Sequence, residues 1–482
     1  MLFNSIDFAL FLPIVFFLYW FATKGNLRVQ NILLLVSSYF FYACWDYRFL
    51  FLLIFSTLLD YYTGIKIHES KNLASKKLWL WISIGVNLGF LGVFKYYNFF
   101  VESFADGLSQ LGFQANFPTL QVILPVGISF YTFHGLSYVI DIYKNRINPE
   151  RNFINYSVFV SFFPLLVAGP IERATHLLPQ IIKRREFDYS KAVNGLRQIL
   201  WGLFKKVVIA DNCATYTNTI FNNSSDYSGS TLFLGVLFFA FQIYCDFSGY
   251  SDIALGTARL FGIELLRNFA FPYFSRDIAE FWRRWHISLS SWFRDYLYIP
   301  LGGSKGGNWM KIRNTFIIFL VSGFWHGANW TFIVWGLLNA IYIMPSIISK
   351  TNRNNLDIVA SGKYFPTLRE FVSIGITFGL TLLAWVFFRA NNLEHAFNYL
   401  SQIFSSTLFT IPNFPEIEKS IPILILTGIF LFIEWLGREQ QFAIESIGSG
   451  WNKPVRWTMY YAIILVIFYY AGNEQQFIYF QF

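Results

Sequence analysis

Residues 315–348 read TFIIFLVSGFWHGANWTFIVWGLLNAIYIMPSII, a run without a single Asp, Glu, Lys or Arg. A membrane-spanning helix takes about 20 apolar residues, so this run is too long for one crossing. We predict two shorter helices that meet near Gly323 to Asn329. His326 would then lie near the turn, deep in the membrane, where an ionisable side chain needs an explanation.

The composition of the whole chain is that of an integral membrane protein. Of 482 residues, 55% are hydrophobic, 21% are aromatic and only 13% are charged. A soluble protein of this length carries more charge and less apolar surface. The formal net charge of +9 is typical of loop Lys and Arg residues that set membrane orientation. The bilayer is therefore the expected environment, and no nucleic-acid partner is expected.

Apolar runs long enough to span recur along the sequence, and we predict an all-α polytopic membrane protein with about 11–12 membrane helices, some broken or re-entrant. The chain is expected to form a single domain over residues 1–482. The first run has no basic segment and no cleavage site, so it is interpreted as a membrane helix, not a signal peptide. The regular runs lie near 6–22, 29–45, 49–65, 78–100, 119–143, 231–263, 370–388, 421–437 and 457–472; the less regular ones are 152–171, 195–213 and 314–349.

Basic residues collect in alternate loops, which predicts that those loops are cytoplasmic. Segments 101–118 and 214–230 contain no Lys or Arg and are expected on the other side, together with the N-terminus. Basic residues flank run 314–349 at both ends, so both ends are expected in the cytoplasm. Run 152–171 also has basic flanks and is interrupted by Pro164, Gly169 and Pro170. A broken or re-entrant helix, covered by protein or a cavity, fits it better than a full crossing.

Several common sites are excluded by spacing. Cys44, Cys213 and Cys245 show no CxxC or CxxH pattern, so neither a metal site nor a disulfide framework is predicted. The loop LGGSKGGNW at 301–309 lacks the phosphate-loop spacing, and its glycines suit a tight turn instead.

Residues 264–313 interleave aromatic and basic side chains, among them Trp282, Arg283, Arg284, Trp285 and Arg294. This pattern is typical of a helix that lies in the membrane interface, with its aromatic side toward the acyl chains and its cationic side toward phosphate or a polyanionic ligand. On that simpler interpretation, His286 is an ordinary interfacial histidine.

Segment 241–256, FQIYCDFSGYSDIALG, carries Asp246 and Asp252 within an otherwise apolar run. Intramembrane carboxylates are costly and commonly face a cavity or a partner, so a functional lining is one hypothesis. The alternative is that both lie at the cytoplasmic interface and pair with arginines.

Segment 124–144, LPVGISFYTFHGLSYVIDIYK, mixes small and hydroxylated residues with His134. Close helix packing is the favoured interpretation, because small residues let helix backbones approach and hydroxyls bond across them. Lining of a cavity is the alternative.

For His326 the residues alone leave two interpretations open, a packing histidine hydrogen-bonded to a neighbour and a catalytic one. Gly323 and Gly327 would leave room beside the ring, Trp325 would wall a pocket, and Asn329 offers a hydrogen-bonding side chain. An imidazole in such a place can take a proton from a hydroxyl nucleophile at neutral pH.

Seven segments together resemble the membrane-bound O-acyltransferase family, in its bacterial branch related to alginate O-acetylation. They cover residues 1 to about 390, with the motif-bearing core at about 120–390. The segments are MLFNSIDFALFLPIVFFLYW, LPVGISFYTFHGLSYVIDIYK, FFPLLVAGPIER, QIYCDFSGYSDIALG, FWRRWHISLSSWFRDYLYIPLGG, GFWHGANWTFIVWG and AWVFFRA.

The resemblance implies a multi-helix fold with a tunnel through the bilayer and a catalytic role for His326. It implies a second functional histidine, His286, on the cytoplasmic side. Acetyl-CoA is the implied acyl donor, a substrate and not a permanently bound cofactor, with Arg283, Arg284, Arg294 and Lys305 suited to its phosphates. Further candidates for donor binding or for lining the tunnel are Asp246, Asp252, Arg283, Arg284, Trp285, Arg294, Trp325 and Asn329.

The resemblance further implies O-acetylation of an exported or cell-envelope polysaccharide in the bacterial inner membrane, completed by an exported hydrolase-like partner of the SGNH type. Transfer of D-alanine or of a longer acyl chain to another envelope polymer, a lipid or a protein is an alternative. A transporter or flippase is the non-enzymatic alternative, although the inverted repeats typical of transporters are absent.

Overall fold

The structure is a computed structural model that describes residues 1–113, 117–120, 123–167, 169–472 and 475–478. Within these residues the regular secondary structure is helical and no strand occurs, which confirms the all-α prediction. The chain forms two compact units. Unit 1 comprises residues 1–195 and 254–266, and unit 2 comprises residues 196–253 and 267–482. The single functional domain over 1–482 stays a prediction.

Unit 1 is built from the N-terminal helices. The first is extended by a π-helical turn, Leu18–Ala22, and the fourth by Gly92–Tyr96. The helices are Ile6–Phe17, Leu27–Ala43, Tyr47–Glu69, Leu73–Leu91, Tyr97–Gln110, Ile128–Tyr143, Phe153–Ser161, Phe163–Leu166 and Ala174–Ile182.

Two helices, Tyr189–Leu203 and Gly229–Leu260, have residues in both units. Unit 2 adds π-helical segments at Phe204–Ala210 and Arg294–Tyr298. Its α-helices are Asp211–Asn222, Ile278–Arg284, Ile287–Phe293, Gly307–His326, Trp330–Ile348, Leu368–Arg389, Leu393–Ile403, Ile417–Leu436 and Lys453–Tyr470.

Each of the nine regular apolar runs contains a helix, as predicted. Six helical stretches of the described chain are long and apolar enough to cross a membrane, and the shorter apolar stretch Ile6–Ala22 adds to them. The remaining crossings in the predicted count of about 11–12 stay predictions. The six are Tyr47–Glu69, Leu73–Gln110, Gly229–Leu260, Trp330–Ile348, Leu368–Arg389 and Ile417–Leu436.

Polar side chains set where several helices begin. Asn72 accepts a hydrogen bond from the Ser75 amide at 2.7 Å, and Thr367 forms a capping box with Glu370. These caps satisfy backbone amides that have no partner in the first turn of a helix. Run 152–171 is broken as predicted, because Phe162 interrupts it with a non-helical ψ of 114°.

In unit 1 the helix Ile128–Tyr143 packs closely on Tyr47–Glu69. A Cβ atom on Gly135 would lie 1.9 Å from Oδ2 of Asp60, and Oδ1 of that buried carboxyl accepts hydrogen bonds from Ser83 and Asn87. His134 Nε2 accepts the Glu172 amide at 3.0 Å. The contacts of segment 124–144 therefore agree with the helix-packing interpretation.

In unit 2 the opening run forms a hairpin of two helices, Gly307–His326 and Trp330–Ile348. A Cβ atom on Gly323 would lie 2.2 Å from the Phe332 carbonyl oxygen, and one on Gly336 would lie 2.3 Å from the Phe319 carbonyl oxygen. Glycine at both positions thus lets the two backbones touch. Close backbone contact of this kind commonly holds helices together in a membrane, because the hydrophobic effect does not drive helices together in lipid.

Replacing Gly323 with alanine is expected to lower the thermal stability of the protein in detergent, because the new methyl group meets backbone that cannot turn away. Overpacking of this kind costs about 1–3 kcal/mol. The midpoint of intrinsic tryptophan fluorescence on heating measures the effect. Gly379→Ala is the matched control, since a Cβ at that helical glycine has no neighbour within 4 Å. Equal midpoints for the two variants would contradict the close contact.

Candidate functional site

His326 is the last residue of the helix Gly307–His326, and residues 327–329 form the turn to the next helix. The two helices contain 20 and 19 residues. At 1.5 Å per residue, each is about 30 Å long, close to the thickness of the hydrocarbon core. The prediction of two helices meeting here is confirmed, but they are not short. The depth of the turn in the membrane stays a prediction, because Lys311 and Arg313 lie in the first two turns of the helix Gly307–His326 and only its last part, 315–326, lacks Asp, Glu, Lys and Arg.

Aromatic rings enclose the His326 side chain, which is 3% exposed. Its ring centroid lies 4.8 Å from that of Trp325, 5.1 Å from that of Trp335 and 5.4 Å from that of Phe388. All three contacts are edge-on. Such a shell excludes water and strengthens electrostatic interactions at the imidazole.

His286 also contacts Trp325, with its ring centroid 6.1 Å from that of the indole. The ring also contacts Phe247 at 4.7 Å, and the residue is 1% exposed. The interpretation of His286 as an ordinary interfacial histidine is therefore wrong. Burial lowers the pKa of His286 to about 3, so the imidazole is neutral at physiological pH.

The predicted interface helix is also wrong. His286 adopts left-handed backbone angles, φ 44° and ψ 54°, and separates two helices of seven residues, Ile278–Arg284 and Ile287–Phe293. Trp285 and Phe293 are 1% and 4% exposed, so they pack inside the protein and not against lipid. A non-glycine residue rarely takes this backbone conformation, and a single such residue ends a helix.

Gly327 and Asn329 shape the turn between the helices Gly307–His326 and Trp330–Ile348. A Cβ on Gly327 would lie 2.1 Å from the Phe332 ring, so the predicted space beside the histidine is filled by that ring. The Asn329 side chain accepts the Thr331 amide at 3.0 Å and donates to the Asn391 carbonyl at 2.9 Å. Asn329 is thus a helix cap that also fixes residue 391 beside the turn.

Asp246 is buried and paired with a lysine. Its Oδ1 lies 2.9 Å from Nζ of Lys206, whose ammonium also contacts Asp211 at 2.6 Å. Oδ2 of Asp246 accepts the Ile478 amide at 2.7 Å. The prediction that this carboxylate has a partner is correct, but the partner is not an arginine at the interface.

Asp252 forms a second pair of the same kind. Its Oδ2 lies 2.5 Å from Nζ of Lys205, and its Oδ1 accepts a hydrogen bond from Gln198 at 2.8 Å. Lys205 also donates to Ser248 at 3.0 Å. Both aspartates are thereby neutralised within unit 2, which favours a structural role over the lining of an open cavity.

Comparisons with known proteins agree on one family. The family model described as MBOAT, membrane-bound O-acyltransferase family, matches residues 149–384. A peptidoglycan O-acetyltransferase of Helicobacter pylori is 38% identical, over 83% of this chain and 79% of its own. A probable alginate O-acetylase of Pseudomonas putida is 36% identical over the full length of both chains. A teichoic acid D-alanyltransferase of Streptococcus thermophilus is 31% identical, over 55% of this chain and 68% of its own.

This chain belongs to the membrane-bound O-acyltransferase family. It is a multi-pass membrane protein and an acyltransferase, as the seven sequence segments predicted. An enzyme is thus favoured over a transporter or flippase.

Two of the four basic residues predicted to bind the donor of this acyltransferase are occupied by protein contacts. Arg283 donates to the carbonyls of Asn352 and Asn355, both at 2.7 Å. Arg284 donates to Glu280 at 2.7 Å and to the Asp357 carbonyl at 2.9 Å. These arginines hold the loop 350–367 in place, which leaves few of their N–H groups for a phosphate.

Arg294 and Lys305 differ from that pair. Arg294 is exposed and bonds only the neighbouring Asp295 among the described residues, at 2.8 Å, and Lys305 is exposed in the glycine loop.

Sequence reasoning missed several buried polar groups of the acyltransferase. Lys205 and Lys206 are adjacent in the apolar run 195–213. Two lysines in such a run indicate that buried carboxylates lie nearby and pair with them. Glu434, 2% exposed, accepts the Tyr244 hydroxyl at 2.6 Å. The last ninety residues carried no motif, yet Phe477 is fully buried against Phe247 and Tyr250.

Proposed function

We propose that this acyltransferase moves an acetyl group from a cytoplasmic thioester donor across the membrane, for O-acetylation of an exported or cell-envelope polysaccharide. The observation that carries the proposal is that His286 and His326 both contact Trp325, with all three side chains buried. A pair of buried imidazoles in an aromatic shell suits proton transfer away from bulk water.

His326 acts as the general base. Its imidazole takes the proton from the acceptor hydroxyl while the oxygen attacks the thioester carbonyl. The carbon–sulfur bond then breaks, the acetyl group becomes an ester, and the proton passes to the thiolate. The overall reaction of thioester and alcohol to ester and thiol is balanced without oxidant or reductant, whether transfer is direct or proceeds by acyl relay.

His286 acts nearer the donor. Its neutral ring, held against Phe247 and Trp325, can hydrogen-bond to the donor at the start of the tunnel predicted for this family. The aromatic rings that contact the two histidines keep water from hydrolysing the thioester. The basic ends of the hairpin orient the donor side to the cytoplasm.

A polysaccharide acceptor is supported by two relatives, a peptidoglycan O-acetyltransferase and a probable alginate O-acetylase. The site is expected in the bacterial inner membrane with the acceptor on the outer side. An exported SGNH-type partner would complete the transfer to the polymer. D-alanyl transfer is the second candidate, because a teichoic acid D-alanyltransferase is also a relative.

Purified protein in liposomes is expected to consume acetyl-CoA faster than palmitoyl-CoA. The aromatic packing around His326 leaves little space for a long chain. Free thiol released from each donor, measured with a chromogenic disulfide, gives the two rates. Liposomes without protein provide the background. Faster release from palmitoyl-CoA would replace acetyl transfer by long-chain acylation, and release from neither would overturn a coenzyme A donor.

A further inference from the structure

An apolar cavity of about 710 Å³ lies in unit 2, where two helices and the loop between them meet. Its walls come from the end of the helix Ile417–Leu436, the loop 437–452 and the helix Lys453–Tyr470. The lining side chains are apolar apart from the Ser446 hydroxyl and the Trp451 indole N–H. Cavities of this size hold small-molecule ligands, and this one shares no residue with the aromatic shell of His326.

The cavity is open on the side where both helices expose apolar residues. Two lining residues at the opening, Leu436 and Trp451, are 45% and 48% exposed. The helix Ile417–Leu436 is long and apolar enough to cross a membrane, and its Phe432 is exposed next to the opening. Exposed apolar side chains of such a helix face the acyl chains of lipids, which are as apolar as leucine. The cavity therefore adjoins the bilayer.

The loop that walls the cavity is held by two arginines. Arg197 donates to the main-chain carbonyls of Ile447 and Ile444, at 2.9 and 3.2 Å. Arg438 donates to the Trp435 carbonyl at 2.7 Å, which ties the start of the loop to the preceding helix. The cavity is thus formed by contacts within the protein, and a preformed site lowers the cost of binding a ligand.

Arg456 lies against the wall of the cavity. A Cβ atom on the lining residue Gly448 would lie 3.5 Å from Cγ of Arg456, so the arginine stem packs on apolar surface. Lys453 precedes it by one helical turn and is exposed. Neither side chain forms an ion pair or a hydrogen bond with the part of the chain that the structure describes. A basic side chain with its stem on apolar surface places its charge at the level of the lipid headgroups.

The charge around the cavity is positive in balance. Both carboxylates of the loop accept main-chain amides, Glu445 that of Gln441 at 2.7 Å and Glu439 that of Gly362 at 2.8 Å. Against these two acids stand four cations of the loop, of the first helical turn after it and of the helix that braces it. They are Arg197, Arg438, Lys453 and Arg456. This excess favours an anionic ligand over a neutral or zwitterionic one.

The distribution of basic residues places the loop on the cytoplasmic side. Residues 390–418, before the helix Ile417–Leu436 enters its apolar part, contain no Lys or Arg, whereas residues 437–456 contain three. Basic residues of this kind are expected in cytoplasmic loops. The cytoplasmic leaflet carries the negative surface potential, and basic pockets between membrane helices on this side commonly bind anionic headgroups.

We propose that this cavity binds one anionic phospholipid, with an acyl chain in the apolar space and the headgroup phosphate at Arg456 and Lys453. Trp451 at the opening then lies at the level of the headgroups, where tryptophan is enriched. The lipid is a bound component of the protein and not a substrate, so the proposal is independent of the acetyl transfer proposed above. A zwitterionic phospholipid with the same chains fills the same space, and the headgroup charge is what distinguishes the two.

Native mass spectrometry measures this preference. The full-length protein, purified in dodecyl maltoside, is incubated with equal amounts of dioleoylphosphatidylglycerol and dioleoylphosphatidylcholine. The wild-type protein should retain phosphatidylglycerol in excess. In Lys453→Ala/Arg456→Ala, the ratio of bound phosphatidylglycerol to bound phosphatidylcholine should fall by roughly fivefold for each cation removed.

Two variants control for charge. Lys453→Arg/Arg456→Lys keeps both cations and should keep the ratio near the wild-type value. Lys363→Ala/Arg369→Ala removes two exposed cations that do not line this cavity, and it should leave the ratio unchanged.

Filling the cavity tests the place of the acyl chain. Ala462 is an exposed lining residue, and Ala462→Trp puts an indole into the opening, which should reduce retention of both phospholipids. Leu465→Trp is the matched control, since Leu465 is 68% exposed on the same helix and outside the lining. Elution in size-exclusion chromatography establishes that both variants are folded.

Three results would overturn the proposal. Equal retention of the two phospholipids by the wild-type protein would exclude an anionic ligand. An unchanged ratio in Lys453→Ala/Arg456→Ala would remove these cations as the phosphate contacts. Retention in Ala462→Trp equal to that in Leu465→Trp would place the bound lipid outside this cavity.

Discussion

His326→Ala is expected to abolish acetylation of the cell-surface polysaccharide while the protein still inserts in the membrane. Loss of a general base commonly lowers the rate by about 100- to 10,000-fold. The measurement is the acetate released by alkali from purified polymer of a strain in which the variant replaces the native protein. Membrane abundance and elution in size-exclusion chromatography establish that the variant is folded.

Two further variants separate chemistry from packing at this position. His326→Gln fills more of the space between Trp325, Trp335 and Phe388 than alanine does, but an amide cannot accept the proton. It should be as inactive as alanine and more stable. His68→Ala is the control, since His68 is exposed at the end of the helix Tyr47–Glu69. Normal polymer acetylation in His326→Gln would remove His326 from catalysis.

Lys206→Met is expected to be the most destabilising substitution among the lysines of unit 2. Lys206 is 1% exposed and holds Asp246, Asp211 and the Gln475 carbonyl within 3.1 Å. Methionine removes the cation that both buried carboxylates contact, and breaking a buried pair in this way costs about 3–5 kcal/mol. The midpoint of thermal unfolding in detergent and the yield of monodisperse protein measure the loss.

A matched lysine and a compensating variant make this test decisive. Lys419 pairs with Glu416 at 2.7 Å, but their side chains are 70% and 58% exposed, so Lys419→Met should change stability by less than about 1 kcal/mol. Adding Asp211→Asn and Asp246→Asn to Lys206→Met removes the uncompensated charges and should recover much of the midpoint. A Lys206→Met midpoint equal to that of Lys419→Met would show that the buried cluster contributes little.

The sequence predicted where the helices lie along the chain, but it did not predict which side chains surround them. Hydrophobic run length located a helix in every regular run, because a chain in lipid has to satisfy its backbone hydrogen bonds locally. The break in run 152–171 was equally readable from its Pro and Gly residues. The prediction of an interface helix was wrong at His286. Tertiary packing holds this residue in left-handed backbone angles, which no local sequence pattern predicts.

In the candidate site, too, the sequence predicted local features and missed those that depend on tertiary contacts. His326 was recognised because a lone imidazole in an uncharged run is conspicuous, and the family resemblance added its role. The contact of His286 with Trp325 joins residues 39 positions apart, so no spacing rule predicts it. The partners of Asp246 and Asp252 come from a different helical segment, so local sequence patterns could not predict them either.

By itself, therefore, the sequence determined that this is a helical membrane acyltransferase with His326 at a hairpin turn, since apolar length, glycine spacing and motif order are local properties of the chain. Only the tertiary structure decided which charges neutralise one another and that Arg283 and Arg284 bind main-chain carbonyls of the loop 350–367. The physical reason is that the cost of burying a charge depends on partners brought together by folding, whereas the cost of spanning a bilayer is met within one helix.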